Sequence, residues 1–190
     1  MKSGKVRIIG GKWRRRLLAF PGVNGLRPTP DAVRETVFNW LIPYIEGRVC
    51  LDLYAGSGAL GFEAVSRGAK SAVVVEKNPK AARALRENQQ SIDAQNQISV
   101  TMCAALQYLS TSSARFDMVF LDPPFATDEL EKACYQLQKH GLIAPYGLIY
   151  LEHASDRDLV YLPDDWCELK SAQRGGVRYA LYQLNNAANE

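Results

Sequence analysis

The sequence predicts an α/β fold: a mostly parallel sheet of seven strands with helices on both faces, closed by an antiparallel C-terminal hairpin and preceded by a small β-hairpin and helix. Three observations predict it. From Val49 onward, apolar runs of strand length alternate with segments of helical period, the pattern of repeating βα units. Gly56-x-Gly58-x-x-Gly61 joins the first of these runs to the first of these helices, and an acid, Glu76, stands 20 residues after Gly56. A later apolar run, Met118 to Leu121, is cut off by Asp122-Pro123-Pro124-Phe125. Neither proline can donate to a strand ladder, and each pushes its predecessor out of the helical region, so a carboxylate and a ring are held stiffly at a strand tip.

Taken in order, Lys5–Ile9 and Lys12–Leu18 read as a hairpin around the two-residue turn Gly10-Gly11. Alternation puts Lys5, Arg7 and Ile9 on one face. A Gly- and Pro-rich loop (Pro21 to Pro30) follows. Thr29 or Asp31 can cap a helix from about Asp31 to Tyr44, with Val33, Val37, Phe38 and Leu41 at helical spacing and Gly47 as its stop. Val49–Tyr54 is a strand, Ala59–Arg67 a helix stopped by Gly68, and Ser71–Glu76 a strand. Asn78 caps a helix running from Pro79, at the first helical position, to Ile92. Gln97–Met102 is a strand, Ala104–Ser110 a short helix, Phe116–Leu121 a strand, and Thr127–His140 a helix closed by Gly141. Gly147–Leu151 is a strand, and Cys167–Ser171 and Val177–Leu184 form a hairpin around Gly175-Gly176. The tail 185–190 is expected to fray. The expected organisation is a basic extension over residues 1–46 and a main domain over residues 47–190.

Composition narrows the function classes. No apolar stretch approaches the ~18 residues of a membrane span, and the basic N-terminus lacks the apolar region of a signal peptide, so a cytoplasmic protein is expected. Cys50, Cys103, Cys134 and Cys167 show no Cys-x-x-Cys spacing; three of them lie in apolar runs or helix patterns and read as buried, reduced thiols. With only His140 and His153 as histidines, no metal site is expected. The net charge of +3 hides an asymmetry: residues 1–30 carry eight basic side chains and no acid, while the rest of the chain sums to −5. A basic arm on an acidic body points to a polyanionic partner, with Lys5, Arg7, Lys12, Arg14, Arg15, Arg16 and Arg27 as the candidate residues to bind it. Trp13 either stacks on a base or joins the core.

The glycine loop calls for a nucleoside-containing cofactor, and Glu76 is placed to take ribose hydroxyls. Alone, the fingerprint fits a nicotinamide or flavin dinucleotide as well. Asp52 separates the two, because a carboxylate beside the glycine turn repels a pyrophosphate but welcomes S-adenosylmethionine, whose sulfonium and ammonium leave a net positive charge. The candidate cofactor-binding residues are Asp52, Tyr54, Ala55, Gly56, Ser57, Gly58, Glu76, Lys77, Cys103, Ala104 and Asp122, with Cys103-Ala104 expected at the adenine edge.

The combination of the glycine loop with Asp122-Pro123-Pro124-Phe125, 66 residues after Gly56, resembles the Rossmann-like class I methyltransferases, and the second motif resembles the (Asp/Asn)-Pro-Pro-(Tyr/Phe) signature of those that act on amino nitrogens. Arg7-Ile8-Ile9-Gly10-Gly11-Lys12-Trp13-Arg14, Leu26-Arg27-Pro28-Thr29 and Val33-Arg34-Glu35-Thr36-Val37-Phe38-Asn39-Trp40 are similar to the N-terminal region of RsmD-type methyltransferases, and the likeness runs over about residues 5–184. Arg15 stands where that family usually has glycine, and Pro30 where it usually has threonine. The resemblance implies methyl transfer from S-adenosylmethionine to the exocyclic N2 of one guanine in small-subunit ribosomal RNA, leaving S-adenosylhomocysteine. A monomer is expected, with the choice between naked RNA and an assembled or assembling small subunit left open by the sequence.

Such an amine is a poor nucleophile until its N–H bonds are held. Asp122 and a carbonyl near Pro123 can hold them, a carboxylate steadies the cationic nitrogen, and Phe125 can stack on the extruded base. Asp122, Pro123, Pro124 and Phe125 are therefore the candidate catalytic residues. Arg34 and Glu35 either reach the site or lie on the helix surface, and Glu152 and His153 read as structural or rim residues. The competing functions are methylation of DNA adenine or of a protein glutamine amide, a non-catalytic RNA-binding ribosome assembly factor, and a nicotinamide oxidoreductase.

Overall fold

The computed structural model describes residues 3–23, 28–125, 127–157, 159 and 161–185. Arg27 and the tail 186–190, for which the sequence raised expectations, lie outside the described residues. The elements are β1 (Gly4–Arg7), β2 (Leu17–Phe20), α1 (Asp31–Leu41), β3 (Val49–Asp52), α2 (Ala59–Ser66), β4 (Ser71–Val75), α3 (Pro79–Ser91), β5 (Ile98–Thr101), α4 (Ala105–Thr111), β6 (Phe116–Leu121), α5 (Glu129–Lys139), β7 (Ile143–Ala154), β8 (Trp166–Arg174) and β9 (Val177–Leu184).

Seven strands form one sheet in the order β5-β4-β3-β6-β7-β9-β8. The first five run parallel; β9 inserts antiparallel to β7, and β8 closes the edge antiparallel to β9. After β3 the chain winds outward through β4 and β5, then returns to lay β6 on the other side of β3. The strand order therefore reverses between β3 and β6, and a crevice opens at their C-terminal ends. One face of the sheet is covered by α1, α2, α3 and the β1–β2 hairpin, whose Val6, Ile8 and Leu18 share a core with Val37, Phe38, Phe62 and Phe120. The other face is covered by α4 and α5, through Leu109, Leu130, Cys134 and Leu137.

Local sequence explains most boundaries. Asn78 accepts hydrogen bonds from the Lys80 and Ala81 backbone N–H groups and starts α3 with Pro79 at its first position. Cys50 and Cys134 are buried, but Cys103 is only half-buried and Cys167 is exposed.

Four expectations need correction. The N-terminal hairpin is shorter: Gly4 pairs with Phe20 and Arg7 with Leu17, and residues 8–16 form a long connection rather than a Gly10-Gly11 turn. The glycines serve close approach instead. Gly11 has φ +75°, and a Cβ there would fall 1.7 Å from the Ser66 carbonyl oxygen, because this connection docks against the end of α2. Neither Thr29 nor Asp31 caps α1; Pro30 holds the cap position with no side-chain bond, and Thr29 is used elsewhere. Helix α1 ends at Leu41, not Tyr44, and the chain turns through Pro43. Strand β7 starts at Ile143 and runs on to Ala154, past Glu152 and His153, because β9 pairs with its second half from Leu148 to Ala154.

Candidate active site

Each residue of the site sits where a parallel strand ends. Asp52 closes β3, Glu76 follows β4, Cys103 and Ala104 follow β5, and Asp122 follows β6. These strands are neighbours in the sheet, and the register pairs Asp52 with Phe120, two residues before Asp122. The glycine loop and the Asp-Pro-Pro-Phe loop thus flank the same crevice.

The glycine loop is built by its own carboxylates. Asp52 is buried and its Oδ2 accepts the Gly61 N–H at 2.9 Å. Burial, and then the charge of Glu76, raise its carboxyl to about 7, against the backbone hydrogen bonds that favour its charge. Glu76 accepts from Gly56 N–H at 2.9 Å and from Asn78 N–H at 2.6 Å, so it braces the loop from the next strand. The turn itself needs glycine: Gly56 and Gly58 have φ +52° and +80°, and Gly58 caps α2. Ala55 N–H is tied to Val75 O at 2.9 Å, and Ser57 is buried. Tyr54 reaches across to the Glu129 carbonyl at 3.3 Å, and Lys77 lies 3.7 Å from the Glu129 carboxylate.

On the opposite wall, Pro123 is buried, Pro124 is exposed and Phe125 is half-buried. The Pro124 carbonyl accepts from Thr127, and Arg157 donates to the carbonyls of Phe125 and Thr127 while pairing with Glu131 at 2.9 Å. Asp122 keeps a little exposed surface but is ringed by protein. Thr29, from the loop before α1, brings its Oγ1 to 3.3 Å from Asp122 Oδ2 and 3.2 Å from Glu152 Oε1. Tyr150 donates to the same Glu152 oxygen at 2.8 Å. Burial and then the Glu152 charge hold the Asp122 carboxyl well above the ordinary carboxylate range, opposed by the Thr29 hydrogen bond. Burial raises Glu152 too, against its bonds from Tyr150 and Thr29.

Thr29, Tyr150, Glu152 and Arg157 were thus not assigned to the site from sequence. A signal existed for two of them, since Tyr150 and Glu152 are two apart on a strand and share a face.

Arg34 and Glu35 do not enter the crevice. Glu35 is exposed, and Arg34 is fully buried as a tie between elements. Its guanidinium donates to the Thr29 carbonyl (3.1 Å), the Arg7 carbonyl (2.9 Å), Asp31 (2.6 Å) and Glu63 (3.3 Å). Glu63, also fully buried, further accepts from the Ile9 and Gly10 N–H groups and from Arg67.

The basic residues divide into two groups. Lys5 and Arg7 are exposed on β1 and, with Phe20, Pro28, Thr29 and Asp31, line a groove of about 430 Å³ that adjoins the Asp122 wall through Thr29. Arg7 also pairs with Asp31 at 3.1 Å. Lys12, Arg14, Arg15 and Arg16 lie on the connection that docks at the C-terminal end of α2, where Lys12 reaches Gln97 ahead of β5. That is the end of the sheet away from the crevice. A cavity of about 580 Å³, lined by Lys12, Glu46, Arg67 and Lys70, lies there too. Trp13 is half-buried against the core with Lys12 over its ring. Among the described residues no group of three or more His, Cys, Asp or Glu side chains is arranged to hold a metal ion, and no helix is long and apolar enough to cross a membrane.

Comparison with known proteins follows the same outline. Residues 6–183 match the family model described as Conserved hypothetical protein 95. The chain is 44% identical over 184 residues to the Ribosomal RNA small subunit methyltransferase D of Haemophilus influenzae, covering 95% of each chain. The solved Escherichia coli protein yhhF superposes with a TM-score of 0.86 at 41% identity, over 96% of this chain and 99% of that one. A Salinibacter ruber RNA methyltransferase solved in complex with S-adenosyl-L-homocysteine shares the fold, with a TM-score of 0.65 at 15% identity over 86% of this chain and 97% of that one.

Proposed function

The chain belongs to the Conserved hypothetical protein 95 family, the RsmD-type class I methyltransferases, and from that premise we propose that it transfers a methyl group from S-adenosylmethionine to the exocyclic N2 amine of a guanine in small-subunit ribosomal RNA. The observation that carries this reading is the pair of loops at adjoining strand ends, one glycine-rich and one Asp-Pro-Pro-Phe, on either side of the switch point. The Haemophilus influenzae relative's name supports ribosomal RNA as the substrate class. The product-bound Salinibacter ruber neighbour supports the donor.

The donor set at the strand ends fits a cationic nucleoside. Asp52 and Glu76 brace the glycine turn, an acidic setting that repels a diphosphate. The residues that would hold S-adenosylmethionine are the loop Tyr54–Gly58 and Asp52 on the methionine side, Glu76 and Lys77 on the ribose side, and Cys103 and Ala104 beside adenine. When bound, the donor supplies a methyl group made electrophilic by its sulfonium.

Everything else is work for this chain. Asp122 accepts one N–H of the guanine amine and a carbonyl at Pro123 accepts the other, which turns the nitrogen lone pair toward the methyl. The two prolines stiffen this acceptor pair, and the Arg157 bonds to the Phe125 and Thr127 carbonyls brace the loop from behind. Phe125 stacks on the extruded base, worth roughly 1–3 kcal/mol. The low-dielectric wall strengthens the hydrogen bond from the amine to Asp122 as the nitrogen turns cationic. Orientation of the reacting atoms supplies much of the rest, on the order of 7–11 kcal/mol. Lys5 and Arg7, in the groove that adjoins Thr29, take the phosphates nearest the target.

The experiment is labelled methyl transfer from S-adenosylmethionine to small-subunit ribosomal RNA and to small subunits, with nucleoside identification. N2-methylguanosine is the expected product. Label on adenine, on protein, or nowhere would overturn the reading.

A further inference from the structure

Three oxygen contacts link the wall of the crevice: Tyr150 to Glu152, Thr29 to Glu152, and Thr29 to Asp122. The tyrosine and threonine hydroxyls carry two hydrogens between them. Thr29 has one hydrogen for two carboxyl oxygens, and a carboxyl proton on Asp122 or Glu152 would complete the third contact. We propose that Asp122 and Glu152 are one proton-holding pair bridged by the Thr29 hydroxyl, and that Glu152 is the final acceptor of the proton released in methyl transfer. This rests on the function proposed above.

The donors decide where the resting proton sits. Tyr150 donates only to Glu152, and the single Thr29 hydrogen can join it there, so the charged form is favoured at Glu152. The resting chain is then Asp122 carboxyl donating to Thr29 Oγ1, and Thr29 donating to the Glu152 carboxylate. The two protein carboxyls lie too close to ionise together without cost, and burial raises both, in line with one shared proton.

During transfer the nitrogen lone pair forms the new bond to carbon as the carbon–sulfur pair leaves with sulfur. The nitrogen, now cationic, gives its proton to Asp122 and keeps the bonding electrons. Asp122 passes its own proton through the Thr29 hydroxyl to Glu152. The pair goes from one proton to two, and one returns to solvent after the product leaves. Glu152 acts through Asp122 and does not touch the base, so it is a positioning residue.

The other groups facing the pair are Asp52 on β3, whose charge also raises Asp122, Tyr179 on β9 beside Tyr150, and Arg34, bonded to the Thr29 carbonyl. Asp52 carries its own raised carboxyl, so the measurement is a difference between variants that all retain it.

Infrared titration of the purified protein reads the carbonyl stretch of a protonated carboxyl directly and needs no RNA. The wild type shows this band at neutral pH. Glu152→Gln removes the neighbouring charge and moves the band's loss to lower pH by about one unit or more. Tyr150→Phe keeps the ring against Phe120 but takes a donor from the Glu152 anion, so the pair's last proton leaves at higher pH. A purely structural role predicts no such opposite movement. Glu152→Gln, which has no final acceptor, lowers kcat while the KM for S-adenosylmethionine holds. No Glu152-sensitive band in the wild type, or a titration that neither variant moves, would overturn the pair. Loss of ribosomal RNA as substrate with the infrared shifts intact would overturn the function alone.

Discussion

Removing Glu63 tests how the N-terminal segment is held to the sheet. Its carboxylate is wholly enclosed and accepts four bonds: Ile9 N–H at 2.8 Å, Gly10 N–H at 2.7 Å, Arg67 Nε at 2.6 Å and Arg34 Nη1 at 3.3 Å. Glu63→Ala strands two backbone donors and leaves the enclosed Arg34 without its buried counter-charge. Breaking a buried pair from one side costs about 3–5 kcal/mol, a large part of the ~5–15 kcal/mol of a typical domain. At a urea slope of about 2 kcal/mol/M, the unfolding midpoint falls by roughly 2 M. Replacing Arg34 as well, in Arg34→Met with Glu63→Met, recovers the charge part but not the stranded N–H groups of Ile9 and Gly10, each worth about 1–3 kcal/mol. Limited trypsin digestion adds a local reading, since the already exposed Arg14, Arg15 and Arg16 become cleavable once the connection is released from α2. A Glu63→Ala midpoint within about 0.5 M of wild type, with unchanged digestion, would refute this account of the network.

Asp122→Ala is expected to lose most turnover while S-adenosylmethionine affinity survives in calorimetry; equal loss of both would move Asp122 from catalysis to cofactor binding. Asp52→Asn is expected to raise stability at pH 8 and weaken cofactor binding together. The sign follows from a carboxyl near 7 in the native state: between about pH 4 and 7 the folded chain binds a proton that the unfolded chain has lost, so stability drains as pH rises through that window, by up to about 4 kcal/mol. Urea midpoints at pH 4.5 and 8 check this, and a variant less stable than wild type at pH 8 would contradict it. RNA affinity is expected to fall with salt at a log–log slope of about −3, and Lys5→Ala with Arg7→Ala to flatten that slope by about 1.4; an unchanged slope would remove the groove from the RNA path.

Where local chemistry decides an element, the sequence was easy to read. β6 runs from Phe116 to Leu121 as expected, because two prolines end it, and α3 starts on its Asn78 cap. The glycine loop, Asp52 and Asp122 sit at the expected strand tips for the same reason. Distant partners were harder. The hairpin connection is shaped by α2, 50 residues on, and nothing in Gly10-Gly11 distinguishes a two-residue turn from a glycine pair pressed on a helix end. The length of β7 depends on β9 pairing beyond Leu151. Arg34 could have been found. It falls on the stripe 34, 37, 38, 41 with Val37, Phe38 and Leu41, and Glu63 sits inside the apolar helix Ala59–Ser66. Two opposite charges, each alone on an apolar face, are strong candidates to find each other.

That pair bears on what the N-terminal segment is for. A basic arm serving only to hold RNA could be loosely tethered, and the crevice would be complete without it. Here the arm supplies a wall. Thr29 puts its hydroxyl between Asp122 and Glu152, and its carbonyl is held by the same guanidinium that holds the Arg7 carbonyl. Arg34 spends four bonds on this joint, and Glu63 fastens it to the helix that follows the glycine loop. One enclosed side chain therefore stands between the exposed basic strand β1 and the oxygen that touches Asp122. An ion pair between rigid elements fixes position more than it adds stability, since its desolvation cost offsets much of its attraction. Its value is registry: the β1 backbone that carries Arg7 and the Thr29 loop beside Asp122 are set by the same bonds.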